Sequence, residues 1–302
     1  MPKLKTQAAK ESLLRRVRKQ RLKYITVLPS LVTILNGLCG FAAIALAAKA
    51  NQDLSYGNYH QSAFALAGYM ILLAMIADML DGRLARMSRS TSSFGGQLDS
   101  LCDIISFGVA PAFLMLKVLE YKLHEQTLTT NNPLLITNLA RFIWLVAAAY
   151  ICCAAIRLAR FNVENEEDES AHMSFIGLPT PAAAGVMVSL IIFHQETLPE
   201  LWAPKSYPYL VCENIIVYVL PLLALALAAL MVSRIQYPHI LNQYIKGKKP
   251  FAHLIRALIF LGLIIWSRQA ALVLIFCGFA ISGFSKWLYY KAVSYTHLTL
   301  PT

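Results

Sequence analysis

Long apolar runs recur along nearly the whole chain of 302 residues, and they limit its fold more than any other feature of the sequence. A helix needs roughly 20 consecutive apolar residues to cross the hydrocarbon core of a bilayer, which is about 30 Å thick. Hydrophobic residues make up 57% of the sequence and charged residues only 14%, a composition that excludes an ordinary soluble protein. We therefore predict an all-α protein, a polytopic membrane helical bundle.

Eight of these runs are predicted to be transmembrane helices. Their approximate bounds are residues 25–49, 62–82, 96–117, 138–159, 176–194, 214–233, 252–267 and 270–289. The last two are short, and only the sequence SRQ separates them, which indicates a tight helical hairpin. The expected bundle therefore has about eight transmembrane helices.

The net charge of +11 could indicate a nucleic-acid partner, but the positions of the basic residues favour a membrane surface. If the N-terminus is cytoplasmic, the inner segments hold 21 of the 27 Lys and Arg residues and the outer ends hold 6. The positive-inside rule then places both termini in the cytoplasm. We expect an integral protein of the bacterial inner (plasma) membrane that contacts membrane lipids and binds no nucleic acid.

The sequence divides into four segments. Residues 1–24 form a basic amphipathic segment, which either lies on the cytoplasmic membrane surface or is a mobile tail that only sets orientation. Residues 25–233 form a six-helix membrane core, and residues 234–293 form a C-terminal helical hairpin. Residues 294–302, SYTHLTLPT, resemble a translated vector junction, so we exclude them and expect the native C-terminus to be missing.

Four aspartates stand at the end of the second predicted span and the start of the third, in the sequence DMLDGRLARMSRSTSSFGGQLDSLCD of residues 78–103, between the apolar stretches FALAGYMILLAMIA and IISFGVAPAFLMLKVL. Asp78 and Asp81 are three residues apart, so on a helix they share a face. Asp99 and Asp103 are four residues apart and share a face of the next helix. The loop between the two helices is short, which makes them antiparallel neighbours. We therefore expect all four carboxylates to meet at the cytoplasmic end of one helix pair.

Carboxylates packed into a partly dry cleft repel one another unless cations or protons neutralise them. The six cysteines and seven histidines show no metal-ligand spacing, so the expected ligands are oxygen atoms, which suit Mg²⁺ or Mn²⁺. Four acids can hold two such ions in the bridging arrangement used for diphosphate chemistry. Arg86 supplies a cation for phosphate oxygens, and nearby small residues would let a bulky group approach the backbone. These small residues are Gly82, Ala85, Gly95 and Gly96.

Two other interpretations of the aspartates remain open. The acids could pair with Arg83, Arg86 and Arg89 at the membrane interface, or they could be proton or ion sites of a transporter. No pair of helices broken by Gly or Pro in matching halves of the sequence supports a transporter.

The aspartates are part of a longer motif, D-x-x-D-G-x-x-A-R-x8-G-x-x-x-D-x-x-x-D. This motif resembles the signature of the CDP-alcohol phosphotransferase family. The motif is matched by Asp78, Asp81, Gly82, Ala85, Arg86, Gly95, Asp99 and Asp103. Four further stretches resemble the branch of this family that uses serine. They are PSLVTILNGLCGF (29–41), LDSLCDIISFGVAPA (98–112), RLARFN (157–162) and FIGLPTPAAAG (175–185). The resemblance covers roughly residues 25 to 290.

The resemblance implies a reaction on CDP-diacylglycerol in which an alcohol displaces CMP with no covalent enzyme intermediate. The implied acceptor is L-serine, and the alternatives are glycerol phosphate, inositol and inositol phosphate. A phosphorylated acceptor adds about two negative charges beside a diphosphate, so it would need more cations than serine does. The resemblance also implies a homodimer.

The same resemblance implies roles for single residues. Two divalent ions, Mg²⁺ or Mn²⁺, would be held by Asp78, Asp81 and Asp99, while Asp103 would take the proton of the alcohol and could be a further metal ligand. The CDP-diacylglycerol pocket would be lined by Gly82, Ala85, Arg86 and Gly95.

Four polar residues elsewhere have two possible roles each. Thr33 and Asn36 resemble positions near the nucleotide pocket of the family, but they could equally be hydrogen-bond partners between helices. Arg157 and Arg160 could hold a substrate carboxylate or a lipid phosphate, or could be orientation anchors.

Overall fold

The computed structural model describes residues 30–49, 54–56, 59–88, 93–127, 133–167, 174–203, 206–238 and 267–298. Within them the chain forms a bundle of α-helices with two short β-ribbons. Six of the described helices are long and apolar enough to cross a membrane. They are Ser30–Ala48, Ala63–Leu84, Phe94–His124, Ile136–Val163, Tyr207–Val232 and Arg268–Tyr289. The predicted polytopic membrane bundle is thus confirmed, with six candidate spans.

The first half of the bundle runs from α1 to α5. Its elements are α1 (Ser30–Ala48), β1 (Leu54–Tyr56), β2 (Tyr59–Gln61), α2 (Ala63–Ser88), α3 (Ser93–Asp103), α4 (Ala110–Thr127) and α5 (Pro133–Glu167). A π-helical segment, Ile104–Val109, joins α3 to α4 without a break. The strands β1 and β2 form an antiparallel ribbon between α1 and α2.

The second half continues from the end of α5. Its elements are β3 (Ser174–Ile176), α6 (Thr180–Ile192), α7 (Leu198–Leu201), α8 (Tyr207–Val232), β4 (Gln236–Pro238) and α9 (Arg268–Leu298). A second π-helical segment, Phe193–Thr197, joins α6 to α7. Helix α9 extends into the terminal segment 294–302 that was excluded above.

Helix α6 forms at the fifth predicted span but is not one of the six membrane-spanning candidates. It has only 13 residues, and the polar sequence HQET, residues 194–197, follows it. Most of its surface is buried, because α2, α4, α8 and α9 pack around it. The seventh predicted span, residues 252–267, lies outside the described residues except for its last position.

Glycines let α1 approach the end of α3 closely. A Cβ atom at Gly37 would lie 2.9 Å from the sulfur of Cys102, and one at Gly40 would lie 2.7 Å from the Cα atom of Ser106. Small residues at such crossings let membrane helices pack backbone to backbone. Polar side chains of α1 are thereby brought to the last residue of α3, Asp103.

The π-helical segment after Asp103 is held by buried hydrogen bonds. The hydroxyl of the fully buried Tyr150 donates to the carbonyl of Phe107 at 3.3 Å. The hydroxyl of Ser106 donates to the carbonyl of Asn36 at 2.9 Å, which ties the segment to α1. A π-helical turn leaves carbonyls that an α-helix would pair, and such turns occur often at functional sites. The end of α3 is therefore a candidate functional position.

A short β-ribbon ties the start of α6 to the end of α8. Strand β3 pairs antiparallel with β4, with Ser174 opposite Pro238 and Ile176 opposite Gln236. The next residue, Gly177, has φ of 80° and donates its N–H to the carbonyl of Ile235 at 2.8 Å. Only glycine adopts this conformation without strain. The ribbon lies at the end of the bundle where α5 ends and α6 begins.

Helix α9 docks on the core through apolar and polar contacts. The ring of Phe276 lies directly over the backbone of Gly185 in α6. Near the start of α9, the side chain of Gln269 donates to Glu196 at 3.0 Å, and Tyr69 of α2 donates to the same carboxylate. The C-terminal helix is therefore part of the bundle and not an appendage.

The close crossing of α1 predicts that Gly40→Ala destabilises the protein. The new methyl group would overlap Ser106, and such overpacking costs about 1–3 kcal/mol of unfolding free energy. Gly278→Ala is the matched control, because a Cβ atom there has nothing within 4 Å. Thermal unfolding in detergent, followed by size-exclusion recovery, should show a lower Tm for Gly40→Ala only. Equal Tm values for the two variants would contradict the close crossing.

Candidate active site

The structure brings together three of the four predicted aspartates. Asp78 on α2 and Asp99 and Asp103 on α3 each place a carboxylate oxygen within 4.8 Å of the others. We call the end of the bundle that holds them, where α2 ends and α3 begins, the aspartate end. Asp103 is buried, and Asp78 and Asp99 are partly buried.

The fourth aspartate, Asp81, is not among the three whose oxygens lie within 4.8 Å of one another, but it is near enough to interact with them electrostatically. It is 5% exposed and takes hydrogen bonds from the side chain of Thr33 on α1 and from the backbone N–H of Gly82. Asp81 follows Asp78 by three residues, so its side chain projects from α2 about 60° away from that of Asp78. This difference directs Asp81 toward α1. Its Oδ2 atom is buried and has no hydrogen-bond partner in the described structure.

The residues of the cluster fit a divalent cation. All the converging donors are carboxylate oxygens, the ligand type that Mg²⁺ and Mn²⁺ prefer. A buried oxygen of Asp99 has no hydrogen-bond partner in the described structure. Arg83 is exposed and forms no ion pair with these aspartates among the described residues, and the side chains of Arg86 and Arg89 lie outside them. The cluster can therefore hold a metal ion.

Two of the predicted small residues have open space where a side chain would stand. A Cβ atom built at Gly82 or at Gly96 would have nothing within 4 Å. Gly82 and Gly96 are close in sequence to Asp81 and Asp99, so they add no bulk at this part of α2 and α3. Gly95 lies in the first turn of α3, whereas the side chains of Ala85 and Arg86 lie outside the described part of the structure.

Asn36 on α1 contacts the predicted catalytic carboxylate directly. Its side-chain amide donates to Oδ1 of Asp103 at 2.9 Å, and Asn36 is fully buried. Thr33, one turn earlier on the same face, bonds to Asp81 in the same way. The structure therefore shows Thr33 and Asn36 as hydrogen-bond partners between helices, and contact with a nucleotide stays a prediction for both.

Arg157 on α5 reaches toward the aspartates. It is only 7% exposed, its guanidinium donates to the hydroxyl of Thr180, and its Cζ atom lies 5.6 Å from the ring centroid of Phe161. Asp78 and Asp103 are near enough to attract it electrostatically, yet no ion pair joins it to an aspartate among the described residues. Its Nε atom has no hydrogen-bond partner there. A buried guanidinium with an unused donor can bind an anion.

Arg160, one turn further along α5, has a different environment. It donates to the backbone carbonyls of Val232 and Ser233 at 3.2 and 3.3 Å. These carbonyls end α8, where a helix carries partial negative charge. Of the two roles that the sequence left open, that of a structural anchor fits Arg160. Binding of a substrate carboxylate or a lipid phosphate fits Arg157 better.

Sequence reasoning did not identify Thr180 as part of the site. It is the first residue of α6, fully buried, and it accepts the hydrogen bond from Arg157. The sequence GLPTP does carry a signal, because the flanking Pro179 and Pro181 restrict the backbone at the start of a helix. The sequence does not show that Thr180 bonds to Arg157, which lies 23 residues earlier in the chain.

The fold and the site together define an integral membrane protein whose carboxylate cluster, at one end of a helical bundle, suits a divalent cation. The chain belongs to the CDP-alcohol phosphatidyltransferase family, because the model of that family matches residues 26–232. The resemblance noted in the aspartate motif is thereby confirmed.

Relatives from bacteria and an archaeon match most of the chain. A protein of Helicobacter pylori is 31% identical over 239 residues, which cover 78% of this chain and 85% of the relative. A protein of Methanocaldococcus jannaschii is 32% identical over 224 residues, which cover 74% of this chain and 79% of the relative. A protein of Bacillus subtilis is 30% identical over 213 residues, which cover 70% of this chain and 90% of the relative. All three are named CDP-diacylglycerol--serine O-phosphatidyltransferase.

The carboxylate cluster predicts that Asp99→Asn weakens metal binding. Loss of one charged ligand should raise the Mn²⁺ concentration for half-saturation by about tenfold or more, since even indirect changes near metal ligands cost about 10–100-fold. Titration of the purified protein with Mn²⁺, followed by electron paramagnetic resonance, measures this without substrate. Glu120→Gln is the matched control, because Glu120 pairs with Lys117 away from the cluster. Unchanged Mn²⁺ binding in Asp99→Asn would exclude Asp99 as a ligand.

The bond from Asn36 to Asp103 predicts a loss of turnover in Asn36→Ala. Hydrogen bonds to charged groups contribute about 1.5–3 kcal/mol, so kcat should fall by about 10–100-fold. Asn214→Ala on the exposed surface of α8 controls for the substitution itself. The rate of CMP release from CDP-diacylglycerol at saturating substrates measures the effect. A variant as active as the control would show that Asn36 does not orient Asp103.

Proposed function

We propose that the chain transfers the phosphatidyl group of CDP-diacylglycerol to L-serine, which gives phosphatidylserine and CMP. The relatives named for this reaction support the proposal, since they match 70–78% of the chain. The observation that carries it is the placement of a buried arginine, Arg157, beside the cluster of Asp78, Asp99 and Asp103. Together these residues offer one site for a metal-bound diphosphate and one for a carboxylate.

The proposed reaction is a direct displacement at phosphorus. The serine hydroxyl oxygen forms a bond to the phosphorus that carries diacylglycerol, and the bond from that phosphorus to the bridging oxygen of CMP breaks. CMP leaves with the electron pair of that bond. The hydroxyl proton passes to the carboxylate of Asp103, which the amide of Asn36 holds in place. No covalent bond to the enzyme is needed.

The carboxylates have a second task before any bond changes. Asp78, Asp99 and Asp103 would hold the metal, and the unpartnered oxygen of Asp81 would complete a set of four acids for two ions. We propose Mg²⁺ or Mn²⁺, because the donors are all oxygen atoms. A divalent cation bound there supplies positive charge to the diphosphate and to the departing CMP. The open space at Gly82 and Gly96 would admit the cytidine diphosphate group.

The acceptor assignment rests on the charges around the cluster. Serine carries one carboxylate, which Arg157 can bind through its unused donors. Glycerol phosphate or inositol phosphate would add about two negative charges, although Arg160 already donates to the end of α8. Inositol has no anionic group for Arg157 to bind. Serine therefore suits the described residues better than these alcohols.

We also propose that the aspartate end faces the cytoplasm of a bacterial cell, with both termini on that side and eight spans in all. The distribution of Lys and Arg supports this orientation, because 21 of 27 then lie on the inner side. A homodimer is a further expectation, supported by the family resemblance alone.

One assay tests the proposed function. Purified protein is incubated with CDP-diacylglycerol, Mn²⁺ and one radiolabelled alcohol at a time, and both CMP and labelled lipid are measured. Serine should give the fastest release of CMP. Faster release with glycerol phosphate, inositol or inositol phosphate at equal concentration would reject the acceptor while leaving the family chemistry in place.

The different environments of the two arginines predict different kinetic effects. Arg157→Ala should raise the KM for serine by about 10–100-fold, the value of a lost hydrogen bond to a charged group, with a smaller change in the KM for CDP-diacylglycerol. Arg157→Lys should recover part of the loss. Arg160→Ala should mainly lower Tm, because it leaves the α8 carbonyls unpaired. If Arg157→Ala leaves the serine KM unchanged, another group binds the carboxylate.

A further inference from the structure

We infer that Tyr237 is a positioning residue for the acceptor side of the site, through which α9 sets the place of Thr180 and hence of Arg157. The inference rests on the proposed function, because it concerns how serine is bound. It follows from a continuous series of contacts that begins on α9 and ends beside the aspartates.

The first contact joins Tyr237 of β4 to α9. Tyr237 is fully buried, and its ring lies so close to Gly283 that a Cβ atom there would overlap the ring. Its hydroxyl donates to the carbonyl of Ala280 at 3.3 Å, and its ring centroid is 5.8 Å from that of Phe279. The position of β4 is therefore set by α9.

The second contact joins β4 to the segment before α6. Tyr237 is the middle residue of β4 and stands opposite Phe175 of β3 in the antiparallel ribbon. At the end of the ribbon, Gly177 donates to the carbonyl of Ile235 and fits against the carbonyl of Met231. A Cβ atom at Gly177 would overlap that carbonyl, so this crossing has little freedom to shift.

The third contact reaches the site. Leu178 donates its N–H to the carbonyl of Leu230 at 3.1 Å, and Pro179 has φ of −58°, as its ring requires. Thr180 follows at once and accepts the hydrogen bond from Arg157. Only two residues separate Gly177 from Thr180, so a displaced ribbon displaces the partner of the arginine.

Thr180 accepts the one side-chain hydrogen bond that the described residues give Arg157. The aspartates, in contrast, are held by α1 through Thr33 and Asn36, far from the ribbon in the sequence. A change at Tyr237 should therefore disturb serine binding more than metal or nucleotide binding. The matched family residues, 26–232, end before β4 and α9, so this support lies outside the part of the chain that the family model covers.

Four variants test the inference. Tyr237→Ala removes the ring, Tyr237→Phe keeps the ring and loses only the hydroxyl, and Gly283→Ala pushes the ring away from α9. Gly278→Ala makes the same substitution on the same helix where nothing lies within 4 Å of the added atom. For each variant, kcat, the KM values for serine and CDP-diacylglycerol, and Tm are measured in detergent or liposomes.

We expect Tyr237→Ala and Gly283→Ala to raise the KM for serine by about tenfold or more, since displacement of a positioning group by about 1 Å can cost about 100-fold. The KM for CDP-diacylglycerol should change by much less. Tyr237→Phe should restore most of the serine affinity, and Gly278→Ala should match the wild type. If Tyr237→Ala does not fold, Gly283→Ala makes the same test with a smaller change.

Two results would overturn the inference: a serine KM equal to that of Gly278→Ala, or equal rises in both KM values accompanied by a lower Tm. The second result would show that Tyr237 only stabilises the fold. A wild-type protein that uses another alcohol and not serine would reject the proposed function. The same variants would then be compared for the KM of that alcohol, and an unchanged value would reject the inference as well.

Discussion

Electrostatic repulsion among buried carboxylates is the constraint on which the rest of the aspartate end depends. The donor oxygens of Asp78, Asp99 and Asp103 lie within 4.8 Å of one another. At an effective dielectric constant of about 20, two unit charges at that distance repel by about 3.5 kcal/mol. Among the described residues no ion pair offsets this cost. A bound cation would offset this repulsion directly. Metal binding would therefore also stabilise this end of the bundle.

The two halves of the site are supported by different parts of the bundle. The aspartates depend on α1, which comes close because Gly37 and Gly40 let its backbone meet α3. The arginine depends on α5 and on Thr180 at the start of α6. Because each half has its own supporting helices, a substitution that disturbs one need not disturb the other. Separate KM changes for the two substrates are therefore a meaningful measurement.

The fold class and the positions of the aspartates could be predicted from the sequence, because they depend on local periodicity. Apolar runs set the membrane spans, and spacings of three and four residues set helix faces. The turn of Asp81 toward α1 could not be predicted, since it depends on how two helices cross. The same is true of Arg157 and Arg160, which look alike in sequence but meet different partners. The start of the fifth predicted span also differs, because Ser174–Ile176 form strand β3 and the helix begins only at Thr180.

An enzyme that transfers a phosphatidyl group from CDP-diacylglycerol to an alcohol must bind two different groups, the diphosphate and the alcohol. Under the proposed function, the metal and the diphosphate would be held by the aspartates of α2 and α3, which residues of α1 support. The parts that position the alcohol would include the β3–β4 ribbon and, through Tyr237, a helix beyond the residues that the family model matches. Acceptor binding would then depend on packing at the C-terminal helix, even though no residue of that helix needs to contact the alcohol.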